Sequence, residues 1–113
     1  MIRAILLAAT ALVICAAAPN PGSPSGATIV AQGTANGVLP CMACHGPDLA
    51  GNPSIGAPRI AGLPVATTLT AFHAIAAGRM GDNYVMKNIA HALTGPERAA
   101  VAAYLATLPA GTS

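Results

Sequence analysis

The chain has 113 residues; 54% are hydrophobic, only 7% are charged, the formal net charge is +2, and the aromatic side chains are two Tyr and one Phe. That length suits one domain, and so little bulky side-chain volume leaves a core that is hard to fill from the chain alone. The five bases, Arg3, Arg59, Arg79, Lys87 and Arg98, form no stripe, which removes the electrostatic basis for nucleic-acid binding.

Residues 1–18 read as a secretory signal. Arg3 supplies the positive start, and Ile5 to Ala17 is an uncharged apolar run too short to span a bilayer comfortably. Ala16, Ala17 and Ala18 offer small residues for cleavage, so the expected location is the periplasm. An uncleaved N-terminal anchor, or a lipid on Cys15, would instead give a membrane-attached form. Residues 19–26, PNPGSPSG, hold three prolines, two glycines and two serines and read as a linker. A folded domain is expected over 27–109, with a short tail at 110–113.

Within the domain, Ala27 to Gly33 reads as one or two helical turns, with Ile29 and Val30 as core candidates. Gly33, Gly37 and Pro40 interrupt the chain before the stretch Cys41-Met42-Ala43-Cys44-His45. Pro40 suits the first turn of a helix, where a missing N–H is harmless. Two thiols three positions apart lie near one side of a helical turn. Both can add to the two vinyl groups of one porphyrin, and the adjoining histidine then sits beneath the iron; this is the attachment spacing for a c-type haem. A redox dithiol or half of a zinc site shares the Cys-x-x-Cys spacing. No βαβ pattern surrounds it, however, and no second cysteine pair exists. With Cys15 removed alongside the signal, Cys41 and Cys44 are the remaining cysteines of an exported chain, and thioethers explain them better than a disulfide framework.

Gly46 to Leu63 is rich in Gly and Pro and reads as a long loop, a feature that small domains usually keep for function. The next helix is bounded by Pro64 and Gly78, with Leu69, Phe72, Ile75 and Ala76 on one face. An irregular stretch, Arg79 to Tyr84, leads to Met86, followed by a short turn around Lys87 to Leu93. Thr94 and Glu97 form a capping box for a last helix running to about Thr107, with Val101, Tyr104, Leu105 and Leu108 as its apolar positions. No strand pattern appears, so the class is all-α. No carboxylate pair or activated serine suggests hydrolysis.

The chain resembles a class I cytochrome c, close to the short cytochromes of the c4 and c553 type. The resemblance spans about Ile29 to Leu108. It rests on CMACHG at 41–46, GNPSIGAPRIAGL at 51–63, Phe72 with Gly78-Arg79, and Met86 with the NIAHALTGPERAAVAAYLATL that follows. It implies three to five short helices wrapped around one covalent haem. Cys41 and Cys44 would form the thioethers and His45 the proximal iron ligand. The Pro58 carbonyl would accept from the other ring nitrogen of His45. Arg59 would neutralise a propionate, and Met86 would be the distal ligand. The segment around Gly33 would cross the last helix near Tyr104.

Met80 lies in the same loop as a second thioether, and His73 or His91 would give bis-histidine ligation. Asn83 and Tyr84 could bond a propionate or the Met86 sulfur, or serve only the loop. The implied function is a periplasmic one-electron carrier, monomeric when free, that meets redox partner proteins through a small apolar patch near the thioethers, ringed by Met42, Ala43 and the Met86 loop. The alternatives are a haem subunit of a membrane-associated dehydrogenase or oxidase complex, and a haem protein whose methionine leaves to admit peroxide or a gas.

Overall fold

The computed structural model describes residues 24–110. The expected signal at 1–18, Cys15, residues 19–23 of the expected linker and the tail at 111–113 lie outside the described residues. Five α-helices carry the rest: α1 (Gly26–Gln32), α2 (Cys41–His45), α3 (Val65–Ala76), α4 (Tyr84–Ala92) and α5 (Gly95–Thr107). A single 3-10 turn, Pro53–Ile55, breaks the long loop. Among the described residues there is no strand, only an isolated bridge between Asn52 and Ala57. No helix among them is long and apolar enough to cross a membrane.

The terminal helices form the frame. Helix α1 packs on α5, α3 packs on α5 and α4, and α1 leads into α2. The linker expected to reach Gly26 stops sooner. Ser25 caps α1, its hydroxyl accepting from the Thr28 amide at 3.2 Å, and Gly26 is the first helical residue. The crossing with α5 also falls at Gly26 rather than near Gly33. Gly26 is buried against the Ala100 carbonyl, and a Cβ there would come within 2.9 Å of the Tyr104 Cβ. Two backbones can approach this closely only where a side chain is missing. Gly33 instead ends α1, its amide donating to the Ile29 carbonyl at 2.8 Å.

Helix α5 starts as its sequence indicates. The Thr94 amide donates to Glu97 Oε1 at 2.9 Å, and the Glu97 amide donates to Thr94 Oγ1 at 3.2 Å. Val101 and Leu105 are buried on its inner face, with Tyr104 and Leu108 half-buried beside them. On α3, Phe72 is buried and Ile75 and Ala76 pack against the core, but Leu69 is only half-buried. Thr68 takes the inward position one turn before Phe72.

The core cluster consists of Ile29, Val30, Val38, Leu49, Ala61, Phe72, Ala90, Leu93, Val101 and Leu105. Two of these are alanines and one is aromatic. A fully buried Ile or Leu stabilises by about 1.5–3 kcal/mol relative to exposure, so a core of this make-up is thin. That shortage is what a large apolar cofactor would relieve.

Candidate functional site

Helix α2 is too short to stand alone in water, and Pro40 caps it without a side-chain bond. It is held instead by its neighbours: Cys41 and Met42 pack against the core, and His45 is buried at 6% exposure. No disulfide joins Cys41, which is half-buried, to Cys44, which is exposed. Burial pushes the Cys41 thiol up from its ordinary range, partly offset by a backbone hydrogen bond. Cys41 is thus the inner thiol of the pair and Cys44 the outer one.

His45 Nδ1 lies 2.7 Å from the Pro58 carbonyl oxygen. A carbonyl can only accept, so Nδ1 carries the proton and Nε2 keeps its lone pair for a metal. This is the arrangement by which an outer partner fixes the tautomer and orientation of a ligating imidazole.

The loop that supplies this carbonyl is internally bonded. Asn52 and Ala57 exchange backbone bonds at 2.8 and 3.1 Å, closing a small turn immediately before Pro58. Beyond Pro58, the amides of Ile60 and Ala61 both donate to the Leu49 carbonyl, at 3.0 and 3.1 Å. Pro58 is therefore held between two fastened points, and its ring fixes its own φ. Leu49 is 1% exposed and adopts φ 60°, the left-handed region that a branched side chain rarely enters. Nothing in the sequence singled it out: it reads as one apolar residue in a Gly/Pro-rich loop.

Met86 falls inside α4 rather than in the loop expected to hold it with Met80, because the helix begins at Tyr84. Asn83 is the reason. Its Oδ1 accepts from the amides of Val85 at 2.9 Å and Met86 at 3.2 Å, so it caps the helix. Residues 86 and 90 lie one turn apart on α4, and Ala90 is buried, so half-buried Met86 faces the same inward side. Met80 is 52% exposed in the α3–α4 loop. It borders two open surface grooves, one along Ala66, Thr70 and Ala74 of α3 and one against Asn83, Tyr84 and Lys87. The motif residues border neither groove. His73, His91 and Tyr84 are exposed. The Arg59 guanidinium donates to the Pro109 carbonyl at 3.4 Å.

The residues fit a covalent haem on three counts. Two cysteine sulfurs lie one turn apart, the histidine between helix and loop has a single committed nitrogen, and a thioether lies on an inward helix face. Among the described residues three buried polar atoms, Thr34 Oγ1, Thr68 Oγ1 and Arg98 Nε, have no hydrogen-bond partner within the chain. A zinc reading lacks ligands: among the described residues no three His, Cys, Asp or Glu side chains converge.

Comparison with known proteins points the same way. The family model for cytochrome c matches residues 25–109. Cytochrome c4 of Azotobacter vinelandii is 36% identical over 74 residues, covering 63% of this chain and 35% of that protein. A thiosulfate dehydrogenase electron acceptor of Stutzerimonas stutzeri is 37% identical over 86 residues, covering 75% of this chain and 39% of that one. The solved thiosulfate dehydrogenase of Marichromatium purpuratum superposes with a TM-score of 0.70 at 38% identity, covering 74% of this chain and 18% of that one. The chain thus spans little more than a third of the length of these curated relatives.

Proposed function

The chain belongs to the cytochrome c family, with relatives of the c4 type and a covalently bound haem c, and from this we propose that it is a periplasmic one-electron carrier whose haem iron is held between His45 and Met86. The bound haem supplies reversible one-electron exchange at its iron. Cys41 and Cys44 would hold the ring by two thioethers. His45 presents Nε2, with the Pro58 carbonyl keeping the other nitrogen protonated and the ring plane set. Met86 offers a soft, neutral thioether that favours the reduced metal over the oxidised one. With His45 and Met86 both ligating, no position would be left for oxygen or peroxide, as a carrier requires. The 2.7 Å contact between His45 Nδ1 and the Pro58 carbonyl is the observation that carries this reading.

Exposed apolar side chains would meet the partner. Ala43 and Cys44 are exposed, Leu39 just before α2 is half exposed, and Val85 beside Met86 is also open. Charges are few on this chain, so docking rests on an apolar patch rather than on long-range attraction. A second reading is a haem subunit that accepts electrons inside a dehydrogenase complex. It is favoured by the likeness to proteins named as electron acceptors of thiosulfate dehydrogenase. Co-purification with a dehydrogenase under native conditions would select it; recovery as a free monomer would select the carrier.

The ligand assignment is tested by visible spectra of the oxidised native protein, Met86→Ala and Met80→Ala. Loss of the methionine–ferric iron charge-transfer band only in Met86→Ala is the expected result. Loss of the band in Met80→Ala instead would overturn it.

A further inference from the structure

Residues 109 and 110, just past α5, are fastened to the loop that carries Pro58. The Gly62 amide donates to the Leu105 carbonyl at 2.9 Å. Gly62 adopts φ 77°, and a Cβ there would sit 2.7 Å from the backbone nitrogen and Cα of Ala110, so loop and tail are in direct backbone contact. Three residues earlier, the Arg59 guanidinium reaches across 50 residues to the Pro109 carbonyl. Arg59 directly follows Pro58, whose carbonyl orients His45.

We infer that Pro109 and Ala110 are positioning residues for the proximal imidazole, acting through Arg59 and Gly62. The inference rests on the reading of His45 as an iron ligand. The strength of a hydrogen bond to a carbonyl depends on its distance and angle. A carbonyl held in place draws the Nδ1 proton and makes Nε2 a stronger donor, which favours the ferric state. Arg59 has donors to spare: one held by Pro109 fixes the guanidinium while the others stay free for an anionic group. Proline at 109 sets the direction of approach by its restricted φ. Gly62 admits Ala110 because it has no side chain in the way. Released from this clamp, the Pro58 carbonyl wanders, the bond to His45 weakens, and the reduced state gains.

The test compares reduction potentials of four whole haem-loaded proteins: native, a Pro109→Gly plus Ala110→Gly double variant, Arg59→Gln, and all three changes together. The double variant keeps chain length and terminal charge while removing the fixed φ and the methyl packed on Gly62. At a fixed ambient potential its ferrous-to-ferric ratio is expected to rise about threefold, or roughly 30 mV at 59 mV per tenfold for one electron. Exchange of the His45 Nδ1 proton, followed by NMR, should quicken in parallel. In the Arg59→Gln background the same tail change should produce less than half that shift, because neighbours acting through one contact are not additive. A tail variant that loses thermal stability yet leaves both the ratio and the proton exchange unmoved overturns the inference, as does an equal shift in both backgrounds. Failure of the underlying reading shows separately, as a native protein without the methionine–iron band.

Discussion

Leu49 provides a quantitative check on how the site is held. Its side chain is buried in the core, its backbone sits at φ 60°, and its carbonyl takes both the Ile60 and Ala61 amides. Cutting a buried Leu to Ala typically costs about 2–5 kcal/mol. Going on from Ala to Gly at an ordinary position costs roughly 0.5–1 kcal/mol more. Here the left-handed backbone reverses that second step, because a Cβ in this region costs roughly 1–2 kcal/mol, while the methyl that glycine lacks forfeits about 0.8 kcal/mol of burial. Leu49→Ala and Leu49→Gly should therefore be equally destabilised, or Gly slightly less so, both by about 3 kcal/mol. Denaturant unfolding of the haem-loaded variants, followed by far-ultraviolet circular dichroism, measures this directly. The function should respond with it: a loosened Leu49 frees the stretch of chain that carries Pro58, and proton exchange at His45 Nδ1 should rise in both variants. A Gly variant less stable than the Ala variant by about 1 kcal/mol or more, the ordinary Ala-to-Gly cost, would show that the positive φ places no demand on this position and would refute the reasoning.

Gly26→Ala should force α1 off α5, since its methyl lands on the Ala100 carbonyl. Overpacking of this sort costs about 1–3 kcal/mol, read as a melting temperature lower by roughly 5–20 °C in a domain of this size. Asn83→Ala removes the cap of α4 at about 1 kcal/mol. Because the same oxygen anchors the Met86 amide, the methionine–iron band should fade at a lower temperature than in the native protein, ahead of global unfolding; simultaneous loss would mean that the cap does not serve the ligand. Electron-transfer rates with a small protein partner should change less than about threefold between about 10 and 200 mM salt, because few charges are available to be screened. A steep fall would indicate electrostatic docking.

The site was legible where chemistry demands fixed spacing. Cys41, Cys44 and His45 are adjacent in sequence and in the fold, and Pro58 stands where the resemblance placed it, its carbonyl on His45. The capping box at Thr94 and Glu97 was equally plain, because both partners lie within one turn. Features set by distant contacts leave no such local signal. Gly26 reads as linker until α5 is laid across it, and Leu49 reads as loop until its carbonyl is seen to hold Ile60 and Ala61. The early start of α4 turned on Asn83, whose amide side chain could equally have bonded a ligand until the cap was seen. Thr68 gave no signal at all, since a lone Thr in a helix is commonly exposed; here it faces inward with its hydroxyl unpaired.

The most direct measurement is mass spectrometry of the peptide containing residues 41–45, taken from protein exported by cells with haem-attachment machinery. The account predicts one haem per peptide, with neither Cys41 nor Cys44 open to alkylation after denaturation. A peptide without haem, or one with both thiols free to react, would contradict it.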